Sequence, residues 1–180
     1  MKFDIKNPAF MQAACAVSSV PYQQVPLKFK ETDIEIKVAS VGNVEVHFIK
    51  QDNTPDVVVA PSINGFAEFS LSILRGSNVT ISGKITSIEI PDDYTCYQGL
   101  EAISLEDTDG SIRLNIGNLN LPSLNYVGVR LSSELSANDI ATAINHGSSQ
   151  GRVLFFSYSE YNQIVIDAAQ GIQWQIENDY

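Results

Sequence analysis

Ile85-Thr-Ser-Ile-Glu-Ile90, Leu100-Glu-Ala-Ile-Ser-Leu105, Leu124-Asn-Tyr-Val-Gly-Val129 and Val153-Leu-Phe-Phe-Ser-Tyr158 are strand-like runs that recur through the second half of the chain. Each combines apolar residues with small or polar ones. Turn-rich segments separate them, and Pro91 and Pro122 fall in these connections, where no backbone N–H is needed. The spacing between runs lengthens along the chain, which leaves room for more than a turn. The pattern reads as a short, irregular solenoid beginning at Gly83, with the four runs side by side. Ile112-Arg-Leu-Asn-Ile116, Ile164-Val-Ile166 and Ile172-Gln-Trp-Gln-Ile176 supply further alternating runs. The last two read as a terminal pair that caps the open end, as solenoids require.

One helix is expected inside this half. Ser136-Ala-Asn-Asp139 reads as its cap, with Asp139 as a favourable acid in the first turn. Ile140, Ala141 and Ile144 form its apolar face. His146 then places a basic residue near the last carbonyls, and Gly147 supplies a left-handed stop.

Toward the N-terminus the period changes to two. Ile34, Ile36 and Val38 alternate with polar residues, as do Val44, Val46 and Phe48. Gly42-Asn43 lies between these runs and predicts a tight hairpin. Val57-Val58-Val59 is a third run. Ala67, Phe69, Leu71 and Ile73 form a fourth, after an Asn64-Gly65 turn and before the turn at Arg75-Gly76. Val79 and Ile81 continue the pattern. Frequent strands without intervening helices predict a small antiparallel β-sandwich over 23–82. Roughly 60 residues form a marginal core alone, so this unit is expected to lean on the solenoid beside it. The fold class is therefore mainly β with few helices: an arm over 1–22, the sandwich, and the solenoid over 83–180.

The arm is read as helical. Asn7 can cap it and Pro8 suits its first turn. Phe10, Met11, Ala14 and Val17 then recur at helical spacing, and Pro21 ends it. Pro8, Phe10, Met11 and Val17 are the candidates for attachment to a neighbouring subunit, with packing on the chain's own core as the alternative. Asp4, Asn7, Pro8 and Gln12 interrupt the apolar stretch, so it is read as part of the mature protein rather than a secretory signal.

The chain has 180 residues, of which 44% are hydrophobic and 18% charged, enough apolar material for a packed core. A net charge of −10 repels phosphate backbones and anionic membrane surfaces, so neither nucleic acid nor membrane is an expected partner. No run approaches the ~18 apolar residues of a membrane span. Cys15 and Cys96 lie far apart in unrelated contexts, which disfavours structural zinc and leaves two buried thiols as the simplest reading, a single disulfide staying open.

The second half bears a resemblance. Gly83-Lys-Ile-Thr-Ser-Ile-Glu-Ile90 and Leu121-Pro-Ser-Leu-Asn-Tyr-Val-Gly-Val129 are similar to degenerate leucine-rich repeats. Leu135 to Asn145 with Gly151-Arg-Val-Leu-Phe155 after it resembles the closing helix and strand of such arrays. A small β domain leading into a few irregular repeats is similar to surface proteins of gut Bacteroidetes, and to virion proteins of the crAss-like phages that infect them. The repeat lengths here are unequal, and the consensus Asn is not kept throughout. The resemblance implies binding or assembly rather than catalysis. It implies a non-enzymatic virion component such as a head fibre or decoration protein, attached through its arm to other virion subunits; a homo-oligomer is expected as well, because a marginal β domain and an apolar arm both gain from burial between copies. The alternative is a secreted or surface-anchored bacterial adhesin or glycan-binding module.

No cofactor is expected. His47 and His146 are the only histidines, and no nucleophile elbow or phosphate-cradling glycine loop accompanies them. A hydrolase would need a pocket joining one of them to a carboxylate. Glu106-Asp-Thr-Asp-Gly110 has the carboxylate spacing that calcium uses, but Arg113 intrudes downstream, and a solvated Asp-Gly turn is the simpler reading. Phe156, Tyr158, Tyr161 and Trp174 crowd the C-terminus and are candidates for a contact surface, with core and cap as the alternative.

Overall fold

A computed structural model describes residues 20–131, 133–156 and 162–178. The attachment candidates Pro8, Phe10, Met11 and Val17, like Tyr158 and Tyr161, lie outside these residues.

The fold is mainly β as expected, but the strands of the expected sandwich over 23–82 and those of the expected solenoid belong to a single sheet, and a leucine-rich-repeat solenoid is not shown. Among the described residues ten strands form this one mixed sheet. They are β1 (Gln23–Phe29), β2 (Asp33–Ile49), β3 (Pro55–Ala60), β4 (Phe66–Ser72), β5 (Asn78–Ile90), β6 (Leu100–Ser104), β7 (Arg113–Ile116), β8 (Tyr126–Val129), β9 (Arg152–Phe155) and β10 (Gln175–Asn178). Two α-helices, α1 (Glu134–Asn145) and α2 (Gln163–Gly171), lie between β8 and β10. The strand order is β10-β9-β8-β6-β1-β5-β2-β3, with β4 also on β2 and β7 also on β5. The long strands β2 and β5 are antiparallel partners. Along its other edge β2 takes β4 first and β3 later. Along its other edge β5 takes β1 first and β7 later.

The hairpin expected at Gly42-Asn43 does not form, because both runs belong to β2. Val41 sits opposite Lys84 and Glu45 opposite Ser82, so residues 42–44 face residue 83 alone. This bulge holds two more residues than a regular ladder. An even insertion keeps side-chain parity, so Ile34, Ile36 and Val38 bury on the same face as Val44, Val46 and Phe48. A second irregularity is odd. Ala39 pairs with Ser87 and Ser40 with Ile85, which leaves Thr86 as one extra residue in β5. Parity in β5 therefore flips, and the buried set passes from Val79, Ile81 and Ile85 to Ile88 and Ile90. The three-residue step from Ile85 to Ile88 is the sequence mark of that bulge. Asn64-Gly65, by contrast, is a true two-residue turn. Both residues have positive φ, 54° and 86°, and Ile63 and Phe66 exchange backbone hydrogen bonds across them.

Three of the four opening runs do lie side by side. Strands β6, β8, β9 and β10 are mutually parallel and in chain order. The run at Ile85 is separate, because β1 inserts antiparallel between β5 and β6. The expected boundary at 82/83 falls inside β5, and the buried side chains of both halves join one hydrophobic cluster. Ile164-Val-Ile166 is helical rather than a strand. Asn162 Oδ1 accepts from Ile164 N at 2.9 Å as an N-cap, and Val165, Ile166 and Ala169 bury together at helical spacing. The C-terminal pair is thus a helix and then β10, which extends the parallel row.

Helix α1 starts earlier than expected. Ser133 Oγ accepts from Ser136 N at 3.2 Å, with Glu134 acidic in the first turn. Ser136 is interior and donates to Gly110 O at 3.1 Å. Asp139 serves as a clasp: it accepts from Arg113 Nε at 2.6 Å, Arg113 Nη2 at 3.0 Å and Leu114 N at 3.0 Å, fastening α1 to β7. Gly147 has no positive φ. A Cβ there would lie 2.9 Å from the Trp174 ring, and one at Gly151 only 2.5 Å from it. Both glycines provide a notch for the indole, whose Nε1 donates to Ser148 O at 2.8 Å.

Tyr97, in the 3-10 turn Thr95–Gly99, packs edge-on to Phe29 with centroids 5.4 Å apart. Its hydroxyl is buried without a partner, and burial drives the phenol far above its ordinary titration range. Tyr97→Phe should therefore raise the unfolding free energy by about 1 kcal/mol, since an unsatisfied buried group costs more than its removal. Gly151→Ala should lower it by about 1–3 kcal/mol by displacing the indole. Urea unfolding monitored by circular dichroism measures both.

Candidate ligand-binding face

The parallel row has two faces set by strand alternation. Ile103, Val127 and Val153 point into the core. The opposite face carries two cross-strand ladders: Ala102, Tyr126, Arg152 and Gln175, and beside it Ser104, Gly128, Leu154 and Glu177. Lys28 extends the first ladder onto β1. Arg152 is held on this face from two sides. Its guanidinium lies 5.0 Å from the Tyr126 ring centroid, and Nη1 is 3.1 Å from Glu177 Oε2.

Over Gly128 three polar groups converge. A Cβ built on this glycine would lie 2.8 Å from Glu106 Oε2, 2.8 Å from Ser104 Oγ and 3.2 Å from the Tyr126 hydroxyl oxygen. Glu106 lies just past β6, whose last turn is fixed by Leu105 N donating to Gly128 O at 2.9 Å. Ser104 is 8% exposed, and neither its Oγ nor Glu106 Oε2 has a protein partner. Burial pushes the Glu106 carboxyl above the ordinary carboxylate range, with the Asp107 charge adding to it. Ser104, Glu106 and Tyr126 also line a groove of about 550 Å³ whose rim includes Lys28, Glu101, Asn125 and Arg152. A neighbouring depression of about 810 Å³ shares Asn125 and Arg152 and adds Gln150, Gln173 and Gln175.

The residues singled out in the sequence lie elsewhere. Trp174 is 4% exposed and belongs to the core rather than a contact surface. Phe156 is half-buried just beyond β9, and its neighbour Phe155 is fully buried. His47 makes an exposed local contact with Glu45 at 3.2 Å, and His146 Nδ1 lies 3.1 Å from Leu119 O, so neither faces this groove. Asp109 closes its own turn by accepting from Ser111 N at 2.9 Å and from the Ser111 hydroxyl. Among the described residues no three His, Cys, Asp or Glu side chains converge as metal ligands would. Cys96 has its thiol raised by burial and set against the Glu35 backbone, a structural rather than reactive placement. Sequence reasoning missed Ser104, Glu106, Tyr126, Gly128 and Arg152. Their only signal was the outward set of each short strand, which needs the register to be assembled.

Glu106 titrates higher in the folded chain than unfolded, so the folded state holds more protons between the two values. Stability is then greatest below the unfolded pKa and falls as pH rises through the folded one. Glu106→Gln should lessen this fall, so that it raises the melting temperature more at pH 7 than at pH 4. Calorimetry at both pH values measures it. No family model, curated protein or solved structure matches the chain, so this face is defined by its own geometry.

Proposed function

We propose that this chain is a non-enzymatic assembly protein, a phage virion component of the head-fibre or decoration type, attached through residues 1–22. The observation that carries the assembly reading is uncovered apolar surface at the β3 edge of the sheet. Val57 and Val59 are 46% and 53% exposed, and Ile63 in the turn beyond them is 67% exposed. Phe66 lies beside them, partly covered by Lys37, whose Nζ is 4.7 Å from its ring centroid. No described element covers this patch, and on a chain of net charge −10 only Asp56 of β3 is charged.

The contact is made through side chains rather than by strand addition. Pro55 has no N–H, and the Val57 N–H is taken by Asp56 Oδ1 at 2.8 Å, which blunts the edge. The virion assignment draws on the leucine-rich-repeat resemblance, and the in-order parallel row is what supports it. Self-association around a symmetry axis would bury the valine patch and bring the arms of several copies to one attachment point.

The test is the native mass of the full chain by light scattering. An oligomer is expected, and Val57→Lys with Val59→Lys should reduce it to single chains while leaving the melting temperature within about 2 °C, since exposed substitutions cost little. A single-chain mass for the unsubstituted protein overturns the reading.

A further inference from the structure

We infer that the apolar groove between β3 and β4 is filled by the arm of a second copy of this chain, through Phe10, Met11 and Val17. The inference rests on the assembly reading above and names the contact that makes the assembly. The neighbouring subunit to which the arm attaches is then another copy of the same chain.

The groove is a formed feature of the sheet edge. Strands β3 and β4 lie end to end along one side of β2. The connection between them is pinned to β2, since Ser62 Oγ donates to Ser40 O at 3.0 Å and Ser40 N donates to Gly65 O at 3.1 Å. It leaves a groove of about 530 Å³ walled by Ala60, Pro61, Ile63 and Phe66, with Lys37 and Glu68 at the rim. Val59 and Val57 continue the apolar surface along β3, opposite Glu45 and His47.

Position, pattern and charge select the arm. Residues 1–19 lie outside the described residues, and the chain enters them at Val20. Gln23 sits opposite Gly83, Gly83 opposite the bulge at 42–44, and Val44 opposite Ala60. The start of β1 and the mouth of the groove are therefore on one transverse line, three strand spacings or about 14 Å apart. The chain from Val17 to Gln23 spans about 20 Å when extended, so the arm leaves the sheet within reach of such a groove. Phe10, Met11, Ala14 and Val17 recur at helical spacing and give it one apolar face. Glu45, Asp56 and Glu68 border the patch, and Lys37 beside them already pairs with Glu68 at 3.7 Å. The arm brings Lys2 and Lys6 against Asp4 alone, on a chain of net charge −10. Two patches pressed directly together would instead oppose these carboxylates to their own copies. An arm laid over its own groove would seal the patch and leave the chain single. Association through this patch therefore exchanges arms, each copy filling the groove of the next.

The test combines light scattering with photo-crosslinking of the full chain. Phe10→Glu with Met11→Glu should reduce the native mass to single chains, as the valine substitutions do, with the circular dichroism spectrum unchanged. With p-benzoylphenylalanine in place of Phe10, illumination should give covalent dimers in which residue 10 is joined to residues 57–66, read by mass spectrometry of the dimer band. This crosslink carries the comparison if the glutamate variant does not fold. Crosslinks confined to single chains, crosslinks to other strands, or an oligomer that survives Phe10→Glu with Met11→Glu overturns the inference. If that surviving oligomer is still broken by Val57→Lys with Val59→Lys, the assembly reading stands without the arm. A single-chain mass for the unsubstituted protein removes both.

Discussion

The antiparallel pairing of β2 with β5 is the constraint on which the other strands depend. Strands β3 and β4 pair with β2, and β1 and β7 pair with β5. The parallel row then hangs from β1 through β6. Strand pairing admits side chains to a face by parity, so any insertion in these long strands must be even or must be matched by a shift in the hydrophobic pattern. Both solutions occur. The even bulge at 42–44 leaves the pattern of β2 untouched, and the odd bulge at Thr86 coincides with the step from Ile85 to Ile88. The exposed Thr86 hydroxyl donates to Ala39 O at 3.2 Å, closing the gap that the bulge opens.

How much of the fold is legible in the chain depends on which interactions are local. Alternation marks most of the strands correctly, because a half-buried strand shows its period wherever it pairs. The Asn64-Gly65 turn is legible because both of its positive-φ residues are written in the sequence. Gly42-Asn43 is not, since a bulge and a hairpin use the same residues and differ only in the partner, and that partner is some forty residues away in β5. Ile164-Val-Ile166 misleads for a related reason. Three residues show no period, and Asn162 as an N-cap is the only local sign of a helix. The edge valines read as a strand, but nothing in three valines says that their edge stays uncovered.

The candidate face is illegible for a different reason. Tyr126, Gly128, Arg152 and Ser104 are the outward residues of strands four or five residues long, and such strands carry almost no pattern of their own. Their meaning lies in the ladder, which places Ser104 beside Gly128 and Tyr126 beside Arg152. Glu106 reads in the sequence as part of the acidic turn. Its backbone does enter that turn, but its side chain turns back over β8. The aromatic residues that stand out in the sequence serve mainly as packing, as Trp174 and Phe155 show.

Three glycines make room for close packing by other parts of the chain. At Gly147 and Gly151 the missing side chains are replaced by another part of the same chain, the Trp174 indole, whose one polar atom is satisfied by Ser148 O. Space is created and filled, so nothing beyond stability needs to be explained. At Gly128 the missing side chain is likewise replaced, here by the Ser104, Glu106 and Tyr126 oxygens, of which Ser104 Oγ and Glu106 Oε2 have no partner among the described residues. An alanine at 128 would be conformationally free and would displace them toward solvent, where they could be hydrated. Keeping glycine holds a carboxylate partly desolvated and a hydroxyl unpaired, both of which weaken the fold.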